Sequence, residues 1–417
     1  MKIPSSPQQI DKTNNMDLNR TPDKQRFREE LRAWLAANQA DLKESETYDQ
    51  ADNMDGWMAF LKRWQRKLYD AGWSGISWPK EYGGRGASII EELIFTEEMA
   101  RAKAPNLMNV SIGIELVGPA IIHHGSEAQK KRYLPKILSA EEIWSQGFSE
   151  PDAGSDLASL RTVAVEKDDQ FIVTGQKVWT SWAEYSDYCI LLARTDPKAP
   201  RHKGISCFLV DMRSPGITIR PTVQITGEAE FSEVFFDGVC LPRKSLLGGI
   251  NEGWKVAMTI LAHERGTSAI KYQIRFRTEL DDLISLSKSL RRNGKALSKD
   301  PLVQQKLAQC FIEVEVLKYN IYRSVSQIMR KGKPGPESSI IKLFWSEMDR
   351  RQKEIGMELL GLYSQLVQHS KWTIDGGKWP RAFLWSRAGT IYAGSSEIQR
   401  NIIAERVLGL PKSSEAK

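Results

Sequence analysis

Ser149-Glu150-Pro151-Asp152-Ala153-Gly154-Ser155-Asp156, followed by Lys177-Val178-Trp179-Thr180-Ser181, lies inside a change of sequence period. Alone, the first segment is a turn signal, because Ser, Pro, Asp and Gly each favour turns for local reasons. The surroundings add to it. From about Glu142 to Gly249, β-branched and aromatic runs alternate with Gly, Pro and Asp turns: Phe171-Ile172-Val173, Tyr188-Cys189-Ile190-Leu191-Leu192, Cys207-Phe208-Leu209-Val210 and Val234-Phe235-Phe236. Strands at this spacing, with no helical pattern between them, predict a β-barrel or sandwich.

Helical periodicity holds on both sides. Upstream, Phe27, Leu31, Trp34 and Leu35 recur at helical spacing, and Thr21-Pro22 is a good N-cap and first-turn pair. The Gly- and Pro-rich stretch from Ala71 to Gly86 breaks this helical region, with aromatics placed to pin it to the core. It is not a dinucleotide fingerprint, since no Gly-x-Gly-x-x-Gly follows a strand. Downstream, Trp254, Ala257, Met258, Leu261 and Ala262 form one apolar stripe. Further helices are expected over Leu302–Met329, Pro336–Leu362 and Glu397–Leu408, with a turn over Lys331–Pro336. The layout predicted is an α+β multidomain chain: a loose polar tail over 1–20, an α-helical domain over 21–141, a β-barrel or sandwich domain over 142–250, and an α-helical bundle over 251–417.

Composition narrows the function. The four cysteines (Cys189, Cys207, Cys240, Cys310) are widely spaced with no Cys-x-x-Cys pair, which fits a reducing cytoplasm and gives no zinc signature. His123-His124 has no Cys or acidic ligand at helical spacing beside it, so a surface or capping role is expected there and no metal site. No apolar run reaches the ~18 residues of a bilayer span, and the N-terminal residues lack the apolar core of a signal peptide. A net charge of +7 favours polyanionic partners. Yet the basic residues are spread among acidic ones with no concentrated tail, which argues against nucleic acid.

A second segment, Ile391-Tyr392-Ala393-Gly394-Ser395-Ser396-Glu397-Ile398-Gln399-Arg400, lies near the far end, and a helical stretch with His263-Glu264-Arg265 falls between the two regions. In this order the segments resemble the acyl-CoA dehydrogenase family, over roughly residues 21–412. The Gly72-Trp73, Pro79 and Tyr82-Gly83-Gly84 loop is similar to a segment of that family too. The resemblance implies FAD as cofactor and an acyl-CoA thioester as substrate. The reaction implied is α-proton abstraction with β-hydride transfer to flavin, giving a trans-2-enoyl-CoA, as in the β-oxidation of fatty acids. An electron-transfer flavoprotein is the implied acceptor. The cofactor does the redox step and the protein positions it.

The base is the instructive position. Many members carry a glutamate directly after the tyrosine of the C-terminal motif, where this chain has Ala393. Another branch places it on the first long helix of the C-terminal domain, directly before an arginine, where this chain has Glu264-Arg265. On a helical wheel Arg265 falls within the Trp254/Met258/Leu261 stripe, and Glu264 lies at its edge beside Ala257. A buried guanidinium needs a partner. A carboxylate at the rim of a dry pocket has a raised pKa, which suits abstraction from a weak carbon acid. From spacing alone, a plain ion pair competes with this reading. The resemblance assigns the base to Glu264, and contact with substrate to Ser155, Arg265 and Gly394.

The resemblance implies that Ala393 keeps a catalytic role through its backbone N–H, which in the family helps hold the thioester oxygen. Gly394 lets the chain approach the cofactor closely. Ser396-Glu397-Ile398-Gln399 has the capping-box form, and the helix start carries Ser395 and Glu397 at cofactor-binding positions. Phe148, Ser149 and Ser155 match family positions that touch flavin or acyl-CoA. Trp179 and Ser181 match those lining the flavin ring, Ser181 where a threonine often donates to N5.

The pattern also departs from the family. Tyr272-Gln273-Ile274-Arg275-Phe276-Arg277 does not match the Arg-x-Gln-Phe-Gly that contacts FAD pyrophosphate and adenine across a subunit boundary, and Glu358-Leu359-Leu360-Gly361-Leu362 keeps one glycine of a later Gly-Gly segment. Two assemblies follow: a homodimer or homotetramer with a divergent adenine site, or the base-bearing subunit of a heterotetramer with a paralogous chain. The latter is the pattern of a branch acting on CoA-linked steroid side chains. An oxidase of the same fold, and a non-catalytic or nucleic-acid-binding family member, stay open as alternatives.

Overall fold

The computed structural model describes residues 21–45, 53–105, 107, 110–264, 268–332, 335–366 and 370–412, with the side chains of 262–271 left out of the description. Among the described residues seven α-helices come first: α1 (Pro22–Ala37), α2 (Gln39–Ser45), α3 (Met54–Asp70), α4 (Ile89–Arg101), the short α5 (Val110–Ile112), α6 (Gly118–His124) and α7 (Glu127–Leu138). Pro22 opens α1, although the Thr21 side chain makes no capping bond. Ser88 and Ser126 form reciprocal capping boxes with Glu91 and Gln129. Trp73 and Trp78 are buried and anchor the Ala71–Gly86 loop. Trp78 packs so closely on Gly118 that any Cβ there would overlap its ring. His124 is neither a cap nor free at the surface: its Nε2 lies 2.8 Å from Thr259 Oγ1, and burial lowers its pKa.

Eight strands then build one mixed sheet: β1 (Trp144–Gly147), β2 (Val163–Lys167), β3 (Gln170–Ser181), β4 (Tyr188–Arg194), β5 (Ile205–Asp211), β6 (Ile217–Thr222), β7 (Phe231–Pro242) and β8 (Leu246–Leu247). The order is β6-β7-β3-β2-β4-β5-β8, with β1 parallel to β4. The unbroken apolar runs of β4 and β5 have a simple cause. Both faces are covered. Tyr188, Ile190, Leu192 and Cys207 share a core with Ile121 and Leu134 of the helices, while Cys189, Leu191, Phe208 and Val210 share another with Phe171, Val234 and Phe236.

The last region is helical: α8 (Gly253–Glu264), α9 (Ser268–Ser289), a small hairpin of β9 (Arg291–Arg292) and β10 (Lys295–Ala296), then α10 (Pro301–Lys331), α11 (Ser338–Leu360), α12 (Lys378–Gly389) and α13 (Ser396–Ile402), which runs into a π turn at Ile403–Val407. Phe276, Leu280, Val314, Leu317 and Met348 share one core with Leu31 and Leu61, so the first and last helical regions pack together. Among the described residues no helix is long and apolar enough to cross a membrane.

The buried face of α8 is not the stripe expected from sequence. Val256, Ala257 and Ile260 are fully buried, whereas Met258 is exposed and Trp254 and Leu261 are half-buried. Gly253 brings the helix against the Ser206–Cys207 backbone, where a side chain would not fit. Two apolar stripes run along this helix, and periodicity alone could not choose between them.

Candidate active site

The chain leaves β1 at Gly147 and turns through Phe148-Ser149-Glu150. Val178 N donates to Ser149 O at 2.9 Å, joining this turn to β3. Lys177 on β3 is wholly buried, and its Nζ donates to Phe148 O at 3.1 Å and to Glu150 Oε1 at 2.7 Å. The Glu150 carboxylate also accepts the backbone N–H groups of Arg161 at 2.5 Å and Thr162 at 2.9 Å. A buried ion pair is tolerable only when its remaining hydrogen-bonding capacity is met in this way. Burial works to raise the Glu150 pKa, but the Lys177 charge and the bonds from Lys177, Thr162 and Arg161 outweigh it and hold the carboxyl below its ordinary range. Burial lowers the Lys177 pKa, against the pull of the same partner.

The two motif segments are therefore one rigid corner. Sequence reasoning singled out neither Glu150 nor Lys177, although both stand inside the quoted motifs. The available signal was a lysine on a strand that is otherwise bound for the core.

Beyond Lys177 the pairing of β3 with β7 shifts register before Thr180. Trp179 sits in this irregularity with φ +57°. A bulky residue rarely adopts that conformation, and such strain persists where the surroundings enforce it. Its ring is left 60% exposed, edge-on to Phe231 at 5.8 Å. Thr180 Oγ1 is buried without a hydrogen-bond partner, and the half-buried Ser181 pairs with Phe231. Ser149 is half-buried and Ser155 exposed on the following turn.

The C-terminal segment is held differently. The Tyr392 ring meets Trp345 at 6.2 Å and Trp385 at 5.8 Å, and burial raises its hydroxyl pKa well above the usual value. Ala393 and Gly394 follow with φ +53° and +85°. Gln399 Nε2 donates to the carbonyls of both, at 3.2 and 3.1 Å. The capping box written as Ser396–Gln399 does not form. Ser395 is the cap, its Oγ accepting Ile398 N–H at 3.4 Å, because the Gln399 amide is engaged by the loop carbonyls. Ser396 Oγ is buried without a partner. A cavity of about 530 Å³ opens beside this helix start, lined by Arg350, Arg351, Thr390, Ser396, Glu397 and Arg400 among others. Glu397 is exposed on its rim, and its helix-start hydrogen bonds, backbone first and then Ser395, lower its pKa.

Phe148 belongs to the same core as Val256, Ala257 and Ile260 of α8, a helix that packs on β5 and α6. Glu264 is its last residue, one turn beyond Ile260. The Glu264 side chain and all of Arg265 lie outside the described residues.

These features fit a large planar cofactor. The corner presents an open indole face, and the buried hydroxyls of Thr180 and Ser396 lack protein partners, a state that calls for an explanation in a folded chain. Family models for the N-terminal, middle and C-terminal domains of acyl-CoA dehydrogenase match residues 21–141, 145–239 and 251–408. The chain belongs to the acyl-CoA dehydrogenase family. It is a flavin-dependent oxidoreductase that dehydrogenates acyl-CoA, with FAD as its cofactor. It is 39% identical to acyl-CoA dehydrogenase IpdE1 of Mycobacterium tuberculosis, over 94% of this chain and 99% of that one. Among solved structures it is similar to the ChsE4–ChsE5 complex of Mycobacterium tuberculosis, with a TM-score of 0.81 and 32% identity over 95% of this chain and 99% of the other. A structure titled Tcur3481–Tcur3483 steroid ACAD also aligns with a TM-score of 0.81, at 29% identity over 95% and 100% of the two chains.

Proposed function

We propose that this acyl-CoA dehydrogenase uses Glu264 as the base that removes the α-proton of the thioester. The observation that carries the reading is the burial of α8. Ala257 and Ile260, seven and four residues before Glu264, are fully buried in the core that contains Phe148. Residues at that spacing share a helix face, so the helix phase supports position 264 on the face that enters that core. Position 393, where many relatives of this family carry a glutamate, offers only a methyl group.

Bound FAD supplies the hydride acceptor. Phe148, Ser149, Ser155, Trp179, Ser181, Ser395 and Glu397 would hold it, with Ser181 donating to the ring edge. Ser155, Arg265 and Gly394 would contact the substrate. The N–H of Ala393 would donate to the thioester oxygen as negative charge develops there. Its left-handed backbone turns the chain there, and the Gln399 clamp on its carbonyl restrains the next peptide unit, which supports a steady position for that donor.

The substrate class we infer is a bulky CoA thioester such as a CoA-linked steroid fragment, by likeness to the structure titled steroid ACAD. The assembly we infer is a heterotetramer with a paralogous chain, by likeness to the titled ChsE4–ChsE5 complex. Phe311, Ile312, Val316 and Tyr319 are exposed on α10, which supports association through the last helical region. Electrons would pass to an electron-transfer flavoprotein, and the four free cysteines support a reducing cytoplasm.

Glu264→Gln tests the base. It should lower turnover on the order of a thousandfold, measured with CoA thioesters of graded bulk and an artificial electron acceptor, while FAD per protomer stays at the wild-type value. Undiminished turnover removes Glu264 from the mechanism. Full FAD occupancy and activity of the chain expressed alone removes the need for a paralogous partner, and stoichiometric peroxide points to an oxidase.

A further inference from the structure

We propose that Arg381 is a positioning residue: a latch on α12 that sets the flavin-facing corner relative to the thioester-facing loop. The inference rests on the reading of Trp179, Ser181 and Ala393 given above. Arg381 grips Glu228 with both arms of its guanidinium, Nε to Oε1 at 2.5 Å and Nη2 to Oε2 at 2.7 Å, and its Nη2 lies 3.6 Å from Glu230. A bidentate Arg–carboxylate pair fixes direction as well as distance.

Both glutamates sit on the loop between β6 and β7. That loop is closed on itself by Gly227 N to Gln224 O and Gln224 N to Glu228 O, each 2.9 Å, and Thr226 Oγ1 donates to Glu228 Oε2 at 3.2 Å. It is therefore a stiff connector. Its far end reaches the corner, where the Glu230 carbonyl accepts Trp182 N–H at 2.8 Å, directly after Ser181. Trp182 itself has φ +55°, so this bond holds a strained residue in place.

The path closes on the other side through the same helix. Trp385 lies one turn after Arg381 and therefore on the same face. It packs edge-on against Tyr392 at 5.8 Å, the residue before Ala393. One continuous set of contacts thus links Ser181–Trp182 to Tyr392–Ala393 through Glu230, Glu228, Arg381 and Trp385. Proton and hydride leave adjacent carbons of one substrate, so the two protein segments must hold a fixed separation. A misplacement of about 1 Å at a reacting centre can cost on the order of a hundredfold in rate.

Arg381→Met tests the latch with two readouts. In the apo chain, backbone hydrogen exchange should speed up at 179–184 and at 391–395, both distant in sequence from the change. In the FAD-loaded protein, single-turnover flavin reduction by substrate should slow about tenfold. Swapping the pair, Arg381→Glu with Glu228→Arg, should bring both readouts back to within about threefold of wild type. Faster exchange confined to 223–230 and α12, with flavin reduction unchanged, overturns the proposal. A wild-type chain that takes up no FAD when expressed alone points to the need for the paralogous partner, and the exchange measurement on apo protein still decides the latch.

Discussion

The corner at Phe148–Glu150 and Lys177–Ser181 and the loop at Tyr392–Gln399, which we propose serve the same reaction, are held by opposite means. The corner is locked by a fully buried charge pair whose carboxylate takes three hydrogen bonds, two of them from backbone N–H groups. The loop rests on aromatic rings and a single side-chain amide. Each carries a residue that would rather be glycine: Trp179 in one, Ala393 in the other. A charge lock in a low-dielectric interior leaves little freedom to slide, whereas ring contacts tolerate small shifts. The corner is the fixed reference and the loop is the adjustable part.

Breaking the corner should have the largest effect. Lys177→Met leaves the Glu150 carboxylate buried and unpaired, which costs about 3–5 kcal/mol in denaturant unfolding and should strip FAD from the purified protein. Adding Glu150→Gln should recover part of that loss, because a neutral amide is cheaper to bury. The pH dependence has a definite sign. The folded-state pKa of Glu150 is lowered, so its contribution is complete above the ordinary value of 4.5 and fades as pH falls through the folded value. Acid unfolding followed by fluorescence should lose that step in the Glu150→Gln protein.

The loop should respond less, and differently. Gln399→Leu unpairs the carbonyls of Ala393 and Gly394 and should cost about 1–3 kcal/mol. If that loop holds the thioester as proposed, KM for acyl-CoA should rise while FAD content holds. The smallest change is the most specific. Ala393→Gly relieves a left-handed backbone that costs a non-glycine residue about 1–2 kcal/mol, against about 0.4–1 kcal/mol of added unfolded-chain entropy, so a small net stabilisation is expected, with turnover within about twofold of wild type, since a backbone N–H survives the substitution. A large loss of turnover would mean that position 393 acts through its side chain.

Much of the fold was legible in the chain. The change of period near Glu142 and its return near Glu252 separated helical from β regions, because burial on one face leaves a distinct repeat in each. The parallel pairing of β1 with β4 was not legible, since it depends on tertiary closure and leaves no local pattern. The phase of α8 was misread because its two apolar stripes are equivalent by spacing, and only the contact of Gly253 with the β5 backbone separates them. At the site, the segments that line the corner stood out as motifs. The residues that hold them, Lys177, Gln399 and Arg381, did not. The partners of Lys177 and Arg381 are carboxylates far away in sequence and those of Gln399 are nearby backbone carbonyls, and a polar residue in a motif looks the same whether it contacts a ligand or its own chain. The cap on α13 moved to Ser395 for a related reason: Gln399 had a better use for its amide.

The central claim is that a carboxylate at the end of α8 removes the α-proton. Solvent exchange at the α-carbon reads that step without requiring net oxidation. In D2O, the wild-type protein should wash deuterium into the α-position of a bound acyl-CoA thioester, as seen by mass spectrometry, and Glu264→Gln with a full complement of FAD should not. Deuterium uptake at the wild-type rate in the Glu264→Gln protein would contradict the account.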